Sequence, residues 1–236
     1  MAETTKKIRI WELDFFRGIC MLGVILVHLF YDLVFFAEMT FHFPKIALII
    51  ADYGGILFIV LSGICVTLGS HSVKRGLIVF GAGLLISGVT FIMFGPSPDM
   101  IWFGILHLLG ICMLLYSVLK KLSTALLAGL GVAAAILGFW FKTLTVQSPF
   151  LFPLGLLTAS FGSSDYFPLF PNLGYFMLGI VLGRLVYGKK TTLFPKVNGS
   201  NPLIRFFSFC GRHSLWIYLG HQPIIFSVLY LILRLF

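Results

Sequence analysis

Four ionisable side chains interrupt the first apolar run of this sequence: Asp14, Arg17, His28 and Asp32. An ionisable group inside an apolar span is costly, so its presence marks a pathway or a site by default. Stepping about 100° per residue around a helix places all four within about 60° of one another, on a single stripe. Lipid would not accept such a stripe, so it must face a bundle interior or a water-filled cavity. Helical rise sets His28 about 16 Å beyond Arg17, near mid-membrane, with Asp32 one turn further on. His28 and Asp32, four residues apart, can touch, so the carboxylate could orient the imidazole and raise its basicity. That is the base-plus-orienter half of an acyl-transfer arrangement. The plainer reading is that both residues pair with neighbouring helices to hold a bundle together. Asp14 with Arg17 reads as an ion pair at the helix entry.

The elements that must position this stripe follow from composition. The chain has 236 residues, of which 59% are hydrophobic and only 11% charged. A water-soluble domain runs nearer to a quarter charged, so soluble enzymes, nucleic-acid binders and disordered tails are excluded. Mean hydropathy is +1.03. The expected fold class is all-α, a polytopic transmembrane helix bundle forming a single domain over 1–236. Apolar runs of about 20 residues, enough to span, fall at roughly 15–36, 50–69, 76–94, 101–119, 123–141, 170–187 and 214–233. Between the fifth and sixth, residues 150–161 are too short to span and are broken by Pro153 and Gly155. This segment reads as re-entrant or interfacial, able to line a cavity.

Charge bias sets the orientation. With the N-terminus inside, Lys74, Arg75, Lys120 and Lys121 fall inside, as does the cluster Arg184, Lys189, Lys190, Lys196, Arg205 and Arg212. Of the 17 basic residues only Lys45, Lys142 and Arg234 then fall outside. Seven spans, N-terminus in and C-terminus out, satisfy this bias; an eighth would move the 184–212 cluster outside. The basic N-terminus followed by an apolar run imitates a signal peptide, but no A-x-A-like cleavage site follows. Asn198-Gly199-Ser200 matches a glycosylation acceptor yet lies in the expected inner loop. Cys20, Cys65, Cys112 and Cys210 lie in or beside apolar runs without metal or disulfide spacing, and read as buried, inert thiols. Gly179 and Gly183 form a GxxxG of close helix packing.

Other polar residues stand in or beside spans. Asp52 could bind or deprotonate a sugar group, or cap a helix start. His107, between Gly104 and Gly110, is either a second site histidine or a packing residue. Ser214 and His221 share a face of the last helix. Pro223 just beyond leaves the carbonyl of Leu219 without its usual donor, which makes the surroundings of His221 locally polar.

RIWELDFFRGICMLGVILVHLFYDL (9–33) resembles the first helix of the heparan-α-glucosaminide N-acetyltransferase catalytic-domain family. The ten residues between Arg17 and His28 are also similar to the Arg–His spacing of the large membrane O-acyltransferase family. Ala51-Asp52 followed by FIVLSG (58–63) resembles the second-helix motif of both groups. GILHLLG (104–110), DYFPLFPNLGYFMLG (165–179) and GRHSLWIYLGHQPI (211–224) resemble later signatures of prokaryotic members of the first family. Five matches in order are spread over nearly the whole chain.

The resemblance implies a transmembrane acyltransferase in a bacterial or archaeal cytoplasmic membrane. Such a protein moves an acyl group, usually acetyl, from cytosolic acyl-CoA to a sugar hydroxyl or amine across the membrane. Arg17 and His28 are the matched functional pair, with His28 as general base or acyl acceptor, Asp32 beside it and Arg17 guiding CoA. Lys74 and Arg75 are then candidates for the CoA phosphates, or mere markers of topology. Asp52, His107, Asp165 and His221 would complete the acceptor's surroundings. Tyr166 and Asn172 could also contact sugar, or Tyr166 and Phe170 could anchor the interface. Acetyl-CoA is the expected acyl donor, and no metal is expected. Membrane lipids are the expected surroundings, nucleic acid is not an expected partner, and a homo-oligomer stays open. The chain lacks the luminal domain and additional spans of the eukaryotic enzyme, so glucosamine is not carried over as substrate. A small proton-coupled secondary transporter with the stripe as a proton relay is the rival reading, and a non-catalytic partner subunit the third.

Overall fold

The computed structural model describes residues 10–35, 45–197 and 199–235, with the side chains at 35, 46, 47, 51, 52 and 233–235 outside that description. Described residues form eight α-helices and a short 3-10 helix. These are α1 (Trp11–Phe35), α2 (Lys45–Leu68), α3 (Ser72–Phe94), α4 (Ile105–Leu119), α5 (Thr124–Phe141), α6 (Leu169–Val186), α7 (Pro202–Arg212) and α8 (Ser214–Leu235), with the 3-10 turn at Pro149–Leu154. No strand forms among them; only isolated bridges join Phe103 to Tyr166 and Thr145 to Leu157. Five helices, α1, α3, α5, α6 and α8, are long and apolar enough to cross a membrane, while α4 and the Tyr53–Leu68 part of α2 are shorter apolar helices. The expected all-helical membrane protein is therefore present, with five helices of full spanning length among the described residues.

Contacts divide the chain into two compact units, Met1–Gly55 with Val186–Phe236, and Ile56–Leu185. In the first unit α1 packs on α7 and α8. Helix α7 lies inside the expected basic loop and was not foreseen. Its start is built by Asn201, whose side-chain oxygen accepts from the amide of Leu203 at 2.9 Å, and by Pro202 in the first turn. Its inner face reads Ile204, Phe207, Ser208 and Gly211, a helical period. Helix α1 comes close because Gly18 faces the carbonyl of Phe207 and Gly211 faces the carbonyl of Asp14, where a β-carbon would have no room. Glu12, 1% exposed, fixes the approach to α7. Its carboxylate accepts from the Thr192 hydroxyl at 2.9 Å and the Leu193 amide at 2.8 Å.

Helices α1 and α8 are parallel, because partners ascend together: Arg17 with Ser214, His28 with His221, and Asp32 with Gln222. Two parallel spans require an odd number of crossings between them. Helices α3, α5 and α6 alone satisfy this, and so do all five helices from α2 to α6.

In the second unit α3 packs on α4. The part of α2 after Ile56 meets α6 backbone to backbone, where Gly63 lies against Phe176 and Gly179, and Gly183 against Thr67. The GxxxG of α6 thus serves close packing. Arg184, in the last turn of α6, donates to the carbonyls of Leu122 at 2.7 Å and Lys120 at 2.8 Å, tying α6 to the α4–α5 turn. The 150–161 segment is the 3-10 turn followed by irregular chain, and Val146 donates to the carbonyl of Leu157 at 2.9 Å.

Candidate functional site

Three rungs of polar contact join α1 to α8. At the first, the Arg17 guanidinium donates to the hydroxyl of Ser214 at 2.9 Å, and Ser214 is buried. At the second, the rings of His28 and His221 lie with centroids 4.9 Å apart, inclined at 58°. The third is the Gln222 side-chain amide, which donates to both oxygens of Asp32, at 2.9 and 3.2 Å. Asp32 is 1% exposed and His221 8%. Three residues of the stripe anticipated on α1, Arg17, His28 and Asp32, therefore face α8, whose own buried residues Ser214 and His221 share the face predicted for them.

One expected contact is not made. Among the described residues no hydrogen bond joins His28 to Asp32; the carboxylate is held by Gln222 instead. The physical reason is reach: an amide from a neighbouring helix can donate to both carboxylate oxygens at once, which a ring one turn away on the same helix cannot. Sequence reasoning did not find Gln222, because it searched the apolar runs for ionisable groups and glutamine carries no charge. Its position next to His221 in an apolar helix was the available signal.

The ladder's tautomer follows from its acceptors. The Nδ1 of His221 lies 2.6 Å from the carbonyl oxygen of Tyr218. A carbonyl only accepts, so Nδ1 carries the proton and Nε2 of the neutral ring is a bare lone pair. That Nε2 is buried without a hydrogen-bond partner, and so is the side-chain oxygen of Gln222. Buried polar atoms are nearly always paired, which makes two orphans on adjacent residues a feature of the site.

At the N-terminal end of the same helices lies an open cleft of about 510 Å³. Trp11, Arg205, Phe206, Phe209 and Arg212 line it, with Ser208 at its wall. Two guanidiniums beside aromatic surface suit a phosphate-bearing ligand with a planar ring. Neither Arg205 nor Arg212 was singled out by sequence; both were assigned to topology.

Apart from Asp52, the remaining expected residues lie in the second unit. His107 is 3% exposed, stacked on Phe103 with centroids 5.4 Å apart and edge-on to Phe80 at 5.6 Å. Its Nδ1 accepts from the Gly104 amide at 3.2 Å, so Nε2 carries the proton and reaches the Ser87 hydroxyl at 3.3 Å. One ring nitrogen closes the start of α4 and the other ties it to α3. Asp165 does related work, accepting from the Ile105 amide at 3.2 Å. Together they satisfy two of the amides that a helix N-terminus leaves open. In this structure both side chains help to close the start of α4. Replacing His107 by leucine should leave the Gly104 amide without its acceptor and cost about 1–3 kcal/mol. A lower thermal midpoint in detergent, partly recovered in His107→Asn, checks this.

Tyr166 donates to the carbonyl of Phe152 at 2.5 Å, and burial pushes its phenol well above the ordinary range. Asn172 donates to the carbonyl of Pro168 at 2.7 Å. Both therefore bind protein backbone. Lys74 and Arg75 are exposed in the first turn of α3, where the Arg75 guanidinium folds against Gly69. Asp52 falls on α2 with its side chain outside the described residues.

A family model described as heparan-alpha-glucosaminide N-acetyltransferase, catalytic, matches residues 9–223. No curated protein and no solved structure matches the chain.

Proposed function

The chain belongs to the heparan-alpha-glucosaminide N-acetyltransferase catalytic family, and on that premise we propose that it moves an acetyl group from cytosolic acetyl-CoA to a sugar hydroxyl or amine on the far side of the membrane. A membrane-bound transferase is what membership and the five long apolar helices support together. The α1–α8 ladder is the transfer site. The observation that carries this reading is the pairing of His28 with His221 on the same face of α1 as Arg17, beside a buried carboxyl group.

Acetyl transfer from a thioester needs an imidazole that can take a proton or carry the acyl group, and His28 supplies it. Asp32, locked by Gln222, stands at the outer end of the ladder. Arg17 stands at the N-terminal end, on the side that the basic residues mark as cytosolic, and directs the CoA portion toward His28. The Arg205–Arg212 cleft at that end supports entry of a phosphate-bearing donor there. Lys74 and Arg75 are further candidates for CoA phosphates. The acceptor approaches from the Asp32 end.

Removing Arg17 should weaken the donor more than the chemistry. In Arg17→Ala, the Kd for acetyl-CoA is expected to rise about tenfold or more, matching the loss of one charge-assisted contact. Calorimetry on the detergent-solubilised protein measures it.

Purified protein mixed with acetyl-CoA and a panel of amino sugars and neutral glycans tests the reading as a whole. Release of CoA thiol that depends on the acceptor supports it. No binding and no consumption of acetyl-CoA would remove it. Proton-coupled uptake into vesicles, lost on changing His28, would favour a transporter built on the same stripe.

A further inference from the structure

The orphaned acceptors on α8 are specific about what they lack. The Nε2 of His221 is a lone pair, because its other nitrogen donates to Tyr218. The side-chain oxygen of Gln222 is also an acceptor, because its nitrogen is committed to Asp32. Neither atom has a partner among the described residues, and both are buried. Buried acceptors are rarely left unpaired, and here two such atoms stand on consecutive residues. A ligand that offers only acceptors, such as a phosphate or the thioester oxygen, could satisfy neither. The missing partner carries hydrogen on oxygen or nitrogen. Resting on the transfer reading above, we infer that His221 and Gln222 form the docking edge for the acyl acceptor. In this assignment His221 Nε2 removes the acceptor's proton and Gln222 receives a second hydrogen from a neighbouring hydroxyl or amine.

The step balances without further reagents. The acceptor's oxygen or nitrogen attacks the thioester carbonyl carbon, and the new bond forms as the C–S bond breaks. The proton from the attacking atom goes to His221 Nε2 and is then returned to the departing thiolate, so CoA leaves as the thiol. If the carbonyl has first moved to His28, the same proton is removed by the same nitrogen and returned to the departing imidazole. The tautomer makes His221 suited to the task. Its Nδ1–H is anchored on a backbone carbonyl, so the ring need not choose which nitrogen faces the acceptor, and the developing imidazolium keeps that bond. Gln222 joins this edge to Asp32, which fixes the amide's orientation and so which of its atoms is presented.

The decisive variant is His221→Asn. Its side-chain amide can still donate to Tyr218, which preserves the helix, but nothing replaces the Nε2 lone pair. Acetyl transfer to a sugar hydroxyl should fall about 10²–10⁴-fold in kcat. The thermal midpoint and the Kd for acetyl-CoA should stay near native values. His221→Gln, which can offer an acceptor oxygen but no base, should be comparably slow. Gln222→Leu should instead raise the KM for the acceptor. Native kcat in His221→Asn would overturn the assignment, and so would full activity in His221→Gln. Loss of acetyl-CoA binding together with loss of rate would also overturn it, since that pattern marks a structural role. Native protein that neither binds nor consumes acetyl-CoA would fail the reading beneath it, an outcome distinct from unimpaired transfer by the variants.

Discussion

Alanine at His28 is expected to lower acetyl transfer about 10³-fold while leaving the protein folded. The size follows from what a positioned imidazole contributes as base or nucleophile, about 10²–10⁴-fold. Folding should survive because the other two rungs do not involve this ring: Arg17 still reaches Ser214, and Gln222 still holds Asp32. His28 makes no hydrogen bond among the described residues, so its removal orphans no partner. Acetyl-CoA should still bind, since the donor's charged portion is assigned to the Arg17 end. Steady-state thiol release, read beside calorimetric binding of acetyl-CoA, separates the two effects. A variant that loses binding and rate together would make His28 a packing residue.

The second large effect is structural. Gly211 of α7 faces the carbonyl of Asp14, and a β-carbon there would also stand 3.0 Å from the amide nitrogen of Gly18. Backbone cannot yield as a flexible side chain does, so Gly211→Leu must push α7 away from α1. Overpacking of this kind costs on the order of 3 kcal/mol or more. The damage should extend to transfer, because α7 leads directly into Ser214 and the ladder on α8. A lowered thermal midpoint with matching loss of transfer is the expected result. Leu203→Ala, on the exposed face of α7, should change neither.

These cases show what the sequence carried. The α1 stripe was legible because charge inside an apolar run is rare enough to be read residue by residue. That it faces away from lipid followed from angular spacing alone. The identity of its partner residue did not, because Gln222 carries no charge, and the His28–Asp32 contact inferred from spacing gives way to an amide from another helix. Long apolar helices were legible through hydropathy; α7 was hidden because a search for membrane-length runs passes over an 11-residue amphipathic helix in a basic loop. Its cap, Asn201-Pro202, and the period of Ile204, Phe207, Ser208 and Gly211 were present to be read. His107 and Asp165 illustrate the opposite limit. Both were singled out as polar residues near apolar runs, and both contribute to the start of α4 through contacts that spacing does not encode, one of them 60 residues apart.

The central claim is that the α1–α8 ladder passes an acetyl group from acetyl-CoA on one side of the membrane to an acceptor on the other. Proteoliposomes supplied with acetyl-labelled acetyl-CoA on one face and an amino sugar or glycan on the other test it most directly. Native protein should move the label onto the acceptor, and His28→Ala should leave it on CoA. Label that stays on CoA with native protein, or reaches the acceptor equally well with His28→Ala, would contradict the account.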